Sequence, residues 1–210
     1  MRACLTVCRH RGFPGAEGSC KRETIQCPYH AWTYGLDGLL RSAPRAEEIA
    51  DFPTSELGLC RVAVDTWGPF LFVNTHRDPE PLSEALGSMP AQIAELGLVV
   101  DELVFYRRWE AEIDANWKVV CENFLECYHC QVAHPQLAAM IDTSAETYAL
   151  STDGRLSSQR GPTRESGGTT MHLDGELPRS QFHFLWPNLG VNIFPGRPNI
   201  SIGPMVPLTP

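Results

Sequence analysis

No run of apolar residues in the 210-residue chain approaches the length of a membrane span. No secretory leader is expected either, because Met1–Cys4 runs straight into strand-like sequence. Basic stretches are missing as well. Seventeen Lys and Arg against 25 Asp and Glu leave a formal net charge of −8, which argues against nucleic-acid binding. The expectation is therefore a cytoplasmic chain with no membrane and no nucleic-acid partner. Without a leader, eight cysteines make a poor disulfide framework, and metal ligation outranks it. What remains is ordinary for a globular protein. The chain is 43% hydrophobic and 20% charged, and long enough for one or two domains with a real core.

The chemistry-bearing side chains concentrate in Asn116–Pro135, NWKVVCENFLECYHCQVAHP, which holds Glu122, Glu126, His129 and His134. Asn116 suits a helix N-cap, since its side chain accepts an orphan backbone N–H. Pro135 ends or kinks the segment at its other side. A helix over Ala115–Ala133 would put Glu122, Glu126 and His129 at i, i+4 and i+7, on one face. His129 and His134 are five apart, about 140° off a common face at 100° per residue. Both imidazoles can meet one ion only if the helix unwinds or bulges just before Pro135. Two imidazoles with a later carboxylate make the facial triad of mononuclear non-haem Fe(II). A His pair near a helix end also serves ordinary surface or capping chemistry, and the stretch alone leaves both readings open. Cys121, Cys127 and Cys130 read as small packing residues, and Asn123 as a structural hydrogen-bonding group.

A second cluster lies nearer the start, in CRHRGFPGAEGSCKRETIQCPYH. Cys8 and His10 form C-x-H, Cys27 and His30 form C-x-x-H, and sixteen residues separate His10 from Cys27. Gly12, Pro14, Gly15 and Gly18 supply tight turns between them. Cys20 lies between the pairs and belongs to neither. Two Cys and two His fit either a tetrahedral structural zinc or a Rieske [2Fe–2S] cluster, in which two Cys hold one iron and two His the other. Each short motif here carries one Cys and one His, so each loop would touch both irons. Zinc fingers more often pair like with like.

CRHRG together with CPYHAWTY resembles the Rieske motif of the Rieske non-haem iron, or ring-hydroxylating, oxygenases. NWKVVCENFLECYHCQVAHP resembles the same family's mononuclear iron motif and follows in the expected order. The likeness spans about residues 3 to 208 and implies an α+β fold. A Rieske-type all-β domain, residues 1–78, would precede a partial helix-grip catalytic domain with an antiparallel sheet, residues 79–210. Implied cofactors are a [2Fe–2S] cluster on Cys8, His10, Cys27 and His30, and an Fe(II) on His129 and His134. Implied partners are an NAD(P)H-dependent reductase, directly or through a ferredoxin, with O₂, a small organic substrate, and two further copies in a homotrimer. Glu126 takes the place of the acid that links the two metals between neighbouring chains, where many members have Asp. The ECYHC variant resembles members that oxidise methylated amines such as betaines or carnitine. The family's third iron ligand is an Asp well downstream, and none of Asp142, Glu146, Asp153, Asp174 or Glu176 has its context. The strands expected before Cys8 are absent too, so the chain reads as lacking both ends of an α subunit.

The remaining elements follow from pattern. Ala3–Val7 reads as a strand, and Ala31–Tyr34 with Gly35–Leu40 as a hairpin turning at Leu36-Asp37-Gly38, with Trp32 and Tyr34 beside the cluster. Arg61–Val64 and Phe70–Asn74 read as strands, Leu82–Leu96 as a helix, and Leu103–Ile113 as a strand. Asp142–Pro178 reads as a surface loop, with Ser166–Thr170 a candidate access flap. FHFLWP, LGVNIFP and ISIGPMVP read as three strands whose Phe184, Trp186, Asn192 and Phe194 could line a substrate pocket. His76, His172 and His183 are lone histidines, expected to be solvated or packed.

The leading expectation is an oxygenase component that hydroxylates or N-demethylates a small substrate, with electrons passing from cluster to iron. The rivals are a non-catalytic zinc-binding or electron-carrying module, and an inactive fragment of such an oxygenase.

Overall fold

A computed structural model describes residues 1–164 and 177–208. The chain divides into two compact units, Met1–Thr66 with Phe70–Pro79, and Trp67–Pro69 with Glu80–Pro210. Ser166–Thr170, His172, Asp174 and Glu176 lie outside the described residues. Among the described residues no helix is long and apolar enough to cross a membrane.

The first unit is built on β1 (Ala3–Cys4), β2 (Thr24–Gln26), β3 (Thr33–Gly35), β4 (Leu40–Ser42), β5 (Arg61–Trp67) and β6 (Phe70–Asn74). They form two three-stranded sheets, ordered β1-β5-β6 and β2-β3-β4. The strand expected over Ala3–Val7 is shorter, with Val7 left to an isolated bridge to Pro14. The β3–β4 hairpin turns where the Leu36-Asp37-Gly38 signal put it. There the Gly35 N–H donates to the Leu39 carbonyl and Asp37 Oδ1 accepts the Leu39 N–H at 3.0 Å. Gly38 has φ +81°, and a Cβ there would stand 2.9 Å from Cys4 Sγ, so only glycine fits. Trp32, Tyr34, Leu40 and Leu59 pack with Cys8 and Cys27 into one core, which ties the loops of the first motif to the sheet.

The second unit begins with α1 (Leu82–Leu86) and α2 (Met89–Ala94), two short helices where one was expected. The break is at Gly87, whose φ of +55° no helix accommodates. Leu103–Ile113 forms no strand. Its alternating side chains, Phe105 and Tyr106 among them, are exposed, and strand pattern without a neighbouring strand leaves backbone groups to solvent. Three helices follow, α3 (Trp117–Phe124), α4 (Cys130–Ala133) and α5 (Pro135–Met140).

A five-stranded antiparallel sheet completes the unit, ordered β11-β10-β9-β8-β7. Its strands are β7 (Ala149–Asp153), β8 (Leu156–Pro162), β9 (Arg179–Leu185), β10 (Leu189–Ile193) and β11 (Ser201–Pro204). The last three match the strands expected from FHFLWP, LGVNIFP and ISIGPMVP. The first two correct the expectation of a loop through Asp142–Pro178, and turn at Asp153-Gly154. Alternation along β9 gives the sheet two buried faces. Phe182 and Phe184 share one side. Gln181 and His183 take the other, where the Gln181 Nε2 donates to the Gln92 carbonyl of α2. Asn192, Phe182 and Gln159 are register partners on three adjacent strands, and so form one row on the first face.

Candidate metal centres

The four donors of the first motif stand on two loops with the same backbone plan. In the first, the Cys8 N–H donates to the Phe13 carbonyl at 2.9 Å and the Gly12 N–H to the Cys8 carbonyl at 2.9 Å. In the second, the Cys27 N–H donates to the Trp32 carbonyl at 2.8 Å and the Ala31 N–H to the Cys27 carbonyl at 3.0 Å. The residue four beyond each cysteine lies in the left-handed region, Gly12 at φ +69° and Ala31 at φ +57°. Two matched loops each present one thiol and one imidazole.

The donors also sort by depth. Cys8 and Cys27 are each 2% exposed, whereas His10 and His30 face solvent with ring centroids 4.7 Å apart. Trp32 stacks on His10 at 5.0 Å, with the ring planes 6° apart. The Tyr34 hydroxyl accepts the Arg9 N–H at 3.0 Å and lies 3.3 Å from Cys8 Sγ. Burial works to raise the Cys8 thiol. Contacts with Tyr34, the His10 amide, Cys27 and the Arg11 amide outweigh it, and hold the group below its ordinary value. The same burial, with Cys8 beside it, pushes the Tyr34 hydroxyl up to about 12. Desolvation, then His30 and Arg11, lower His10 and so favour its neutral form.

This donor set fits a [2Fe–2S] cluster. Two buried thiols lie inside and two imidazoles outside, as a cluster with one Cys-bound and one His-bound iron requires. A single tetrahedral zinc needs all four donors on one point. Among the described residues no three His, Cys, Asp or Glu converge on one ion position. Cys20 is exposed and free, apart from the set.

The second motif departs from the single helix expected over Ala115–Ala133. Asn116 caps α3 as its residue type predicts, accepting the Lys118 N–H at 3.0 Å. The helix then stops at Phe124, and Leu125–His129 is a turn. After one turn of α4 the backbone breaks again at His134, with φ −127° and ψ 62°, and Pro135 opens α5 at a position where its missing N–H costs nothing. The unwinding that two imidazoles five apart require is present, and the His129 and His134 ring centroids are 5.1 Å apart. Glu122 stays exposed and outside this group.

Glu126 faces His129. Its Oε1 lies 2.5 Å from His129 Nδ1, which leaves Nε2 as the outward nitrogen. Its Oε2 accepts the Tyr128 N–H, so this oxygen is already engaged within the chain. Desolvation acts to raise this carboxyl, but the His129 and Tyr128 hydrogen bonds prevail and lower it. Cys127 and Cys130, read from sequence as separate packing residues, are joined in a disulfide with Cα atoms 5.0 Å apart. Cys121 is free and buried, and burial pushes its thiol up.

A cavity of about 550 Å³ opens on this turn. His129, His134, Glu126, Cys127 and Cys130 line it from the helical side, with Asn123, Phe124 and the first residues of α5; the sheet face adds Gln159, Phe182 and Asn192, and Tyr148 and Phe194 line it too. Of the expected pocket residues, Asn192 and Phe194 are there. Phe184 packs behind, 6.2 Å from the Phe124 ring, and Trp186 is 58% exposed at the end of the strand. Tyr148 and Gln159 escaped the sequence reading because their hairpin did. Asp153-Gly154, a strong turn signal, could have found it. His183, on the far face, is fully buried and hydrogen-bonded through both nitrogens, to Ser158 and Gln181 at 2.9 Å.

Residues 1–53 match the Rieske [2Fe-2S] domain, and residues 100–205 match the ring hydroxylating alpha subunit (catalytic domain). The carnitine monooxygenase oxygenase subunit of Acinetobacter pittii is 32% identical over 199 residues, covering 93% of this chain and 53% of the relative. The chloroplastic choline monooxygenase of Beta vulgaris is 34% identical over 199 residues, covering 91% and 43%. A crystal structure of the quaternary ammonium Rieske monooxygenase CntA with an inhibitor matches with a TM-score of 0.78 at 30% identity, over 96% of this chain and 53% of that one. Naphthalene 1,2-dioxygenase from Rhodococcus shares the fold at a TM-score of 0.68. The chain spans about half the length of the curated relatives it matches. These matches show the family: the chain belongs to the Rieske oxygenases, with a Rieske [2Fe–2S] domain ahead of a ring-hydroxylating α-subunit catalytic domain.

Proposed function

We propose that this chain supplies the cluster and iron-binding half of an oxygenase acting on a methylated amine. The observation that carries the reading is the cavity in which His129, His134 and Glu126 share walls with Phe124, Tyr148, Phe182 and Phe194. When bound, the [2Fe–2S] cluster supplies single electrons and the mononuclear iron activates O₂.

Each residue then has a task. Cys8 and Cys27 would hold one iron of the cluster, and His10 and His30 the other. Glu126 accepts the Nδ1 proton of His129, fixing the ring and its tautomer so that Nε2 is the metal-binding nitrogen. His134, released from the helix by the break before Pro135, brings the second imidazole. The four aromatic side chains exclude water and offer π-faces to a quaternary or tertiary ammonium, each worth about 0.5–2 kcal/mol to a desolvated cation. Asn123 and Asn192 give the cavity neutral polar groups to orient the rest of the substrate. Relatives named for carnitine and choline support the same substrate class.

The electrons come from an NAD(P)H-dependent reductase, and the working assembly is a homotrimer. In that ring the remaining lone pair of Glu126 Oε2, on a side chain that is 41% exposed, would accept from a cluster histidine of the neighbouring chain, most directly His30. The test is O₂ uptake by the full-length subunit with its reductase, scanned over choline, carnitine, betaines and aromatic hydrocarbons. Uptake coupled to a methylated amine is expected. Coupling to the hydrocarbons alone would overturn the assignment.

A further inference from the structure

The disulfide between Cys127 and Cys130 is the one feature of the iron turn that the proposed chemistry does not use. It brackets His129, the residue that pairs with Glu126, and both sulfur residues line the cavity. It also spans the first of the two breaks in the motif's helix. Cys127 sits in the turn after α3 and Cys130 begins α4. Apart from the disulfide, that turn is closed across these two residues by a single backbone hydrogen bond, from the Cys130 N–H to the Cys127 carbonyl at 3.1 Å. Two cysteines three apart suit reversible thiol–disulfide chemistry. Their residues are only 8% and 3% exposed, so the cavity is the route by which a small reagent reaches them.

We propose that Cys127 and Cys130 form a redox modification site that takes hydroperoxides and small dithiols, and that its state sets how firmly His129 is held for the metal. The inference rests on the reading of His129 and His134 as metal ligands. In the oxidising direction a hydroperoxide accepts two electrons. Its O–O bond breaks, the S–S bond forms, and the two thiol protons leave, with hydrogen peroxide giving two waters. In the reducing direction a dithiol supplies two electrons and two protons. The S–S bond breaks, both sulfurs become thiols, and the dithiol closes to its own disulfide. With the bond closed, the His129 backbone is fixed between two covalently tied residues and its ring is aimed by Glu126. With it open, the turn keeps only hydrogen bonds, the Cys130 N–H on the Cys127 carbonyl and the two contacts of Glu126 with Tyr128 and His129. Losing such support of a ligand commonly weakens metal binding about 10- to 100-fold.

The test uses the full chain, anaerobic, with Co(II) as the spectroscopic probe of the histidine site. Samples are treated with hydrogen peroxide or with dithiothreitol, denatured, alkylated and read by peptide mass spectrometry. Cys121 should be alkylated in both, and Cys127 and Cys130 only after reduction. Co(II) should bind the oxidised form about tenfold more tightly. Cys127→Ser/Cys130→Ser should match the reduced form and ignore both reagents. Alkylation of Cys127 and Cys130 after peroxide overturns the modification site. Equal Co(II) affinity in the two states, or tighter binding on reduction with thiolate-to-metal absorption, overturns the coupling. Failure of Co(II) to bind either state, with the disulfide still interconverting, overturns the histidine-site reading and the coupling with it.

Discussion

Gln159 joins the sheet to the end of α3, and its replacement gives the most direct reading of how the turn before His129 is held. The side chain is 4% exposed. Its Nε2 donates to the carbonyl of Phe124, the last residue of α3, and its Oε1 accepts the Tyr148 hydroxyl at 3.0 Å. The last four carbonyls of a helix have no partner within it, so Gln159 supplies what the interrupted helix lacks. Gln159→Leu keeps the volume and removes both bonds. Each net hydrogen bond is worth about 1 kcal/mol, and a buried partner left unpaired costs about 1–3 kcal/mol. Two such losses, partly relieved by water in the cavity, come to about 2–4 kcal/mol. With a urea slope of about 2 kcal/mol/M, the unfolding midpoint should fall by about 1–2 M. Equilibrium unfolding followed by circular dichroism measures this. A midpoint within about 0.3 M of the parent would refute the role given to Gln159.

Cys8→Ser or Cys27→Ser should abolish the visible absorption of the cluster, while Cys20→Ser, at an exposed free thiol, should leave it unchanged. Glu126→Gln removes the charged acceptor of His129 and should weaken Co(II) binding about tenfold, measured by titration, without loss of the cluster spectrum. His183, held neutral by burial and then by Arg160, titrates near 4 in the fold and about 6.5 when unfolded. The unfolded chain therefore binds the extra proton between those values. Stability present above pH 6.5 should be lost as pH falls toward 4, by up to about 3 kcal/mol, and His183→Gln should remove that part of the pH dependence in urea unfolding.

Much of this arrangement is legible in the residues. Asn116 caps the helix it was expected to cap, because a short amide at that position has one obvious donor to satisfy. The break before Pro135 follows from proline's missing N–H. Strands β9 to β11 follow from apolar runs punctuated by Asn, Pro and Gly. Other elements escaped for physical reasons. Every residue of β7 is exposed, so no burial pattern betrays it, and only its turn does. Leu103–Ile113 shows the reverse fault. Alternation reports what a strand would bury, not whether a neighbour is there to pair with it, and Val104, Phe105 and Tyr106 are all more than four-fifths exposed. The Cys127–Cys130 bond was passed over because the segment was read as one helix, whereas the turn at Leu125–His129 brings the two residues face to face. The aromatic wall of the cavity could not be read off one segment, since its members come from α3, the hairpin approach, β9 and the residue after β10.

The central claim is that the matched loops at Cys8–His10 and Cys27–His30 carry iron and sulfide rather than zinc. Ultraviolet–visible spectroscopy of the anaerobically purified chain, with iron, zinc and acid-labile sulfide determined on the same sample, tests it most directly. The account predicts a red-brown protein in which iron and sulfide are both present and Cys8→Ser loses them together. A colourless protein that holds zinc and no sulfide would contradict it.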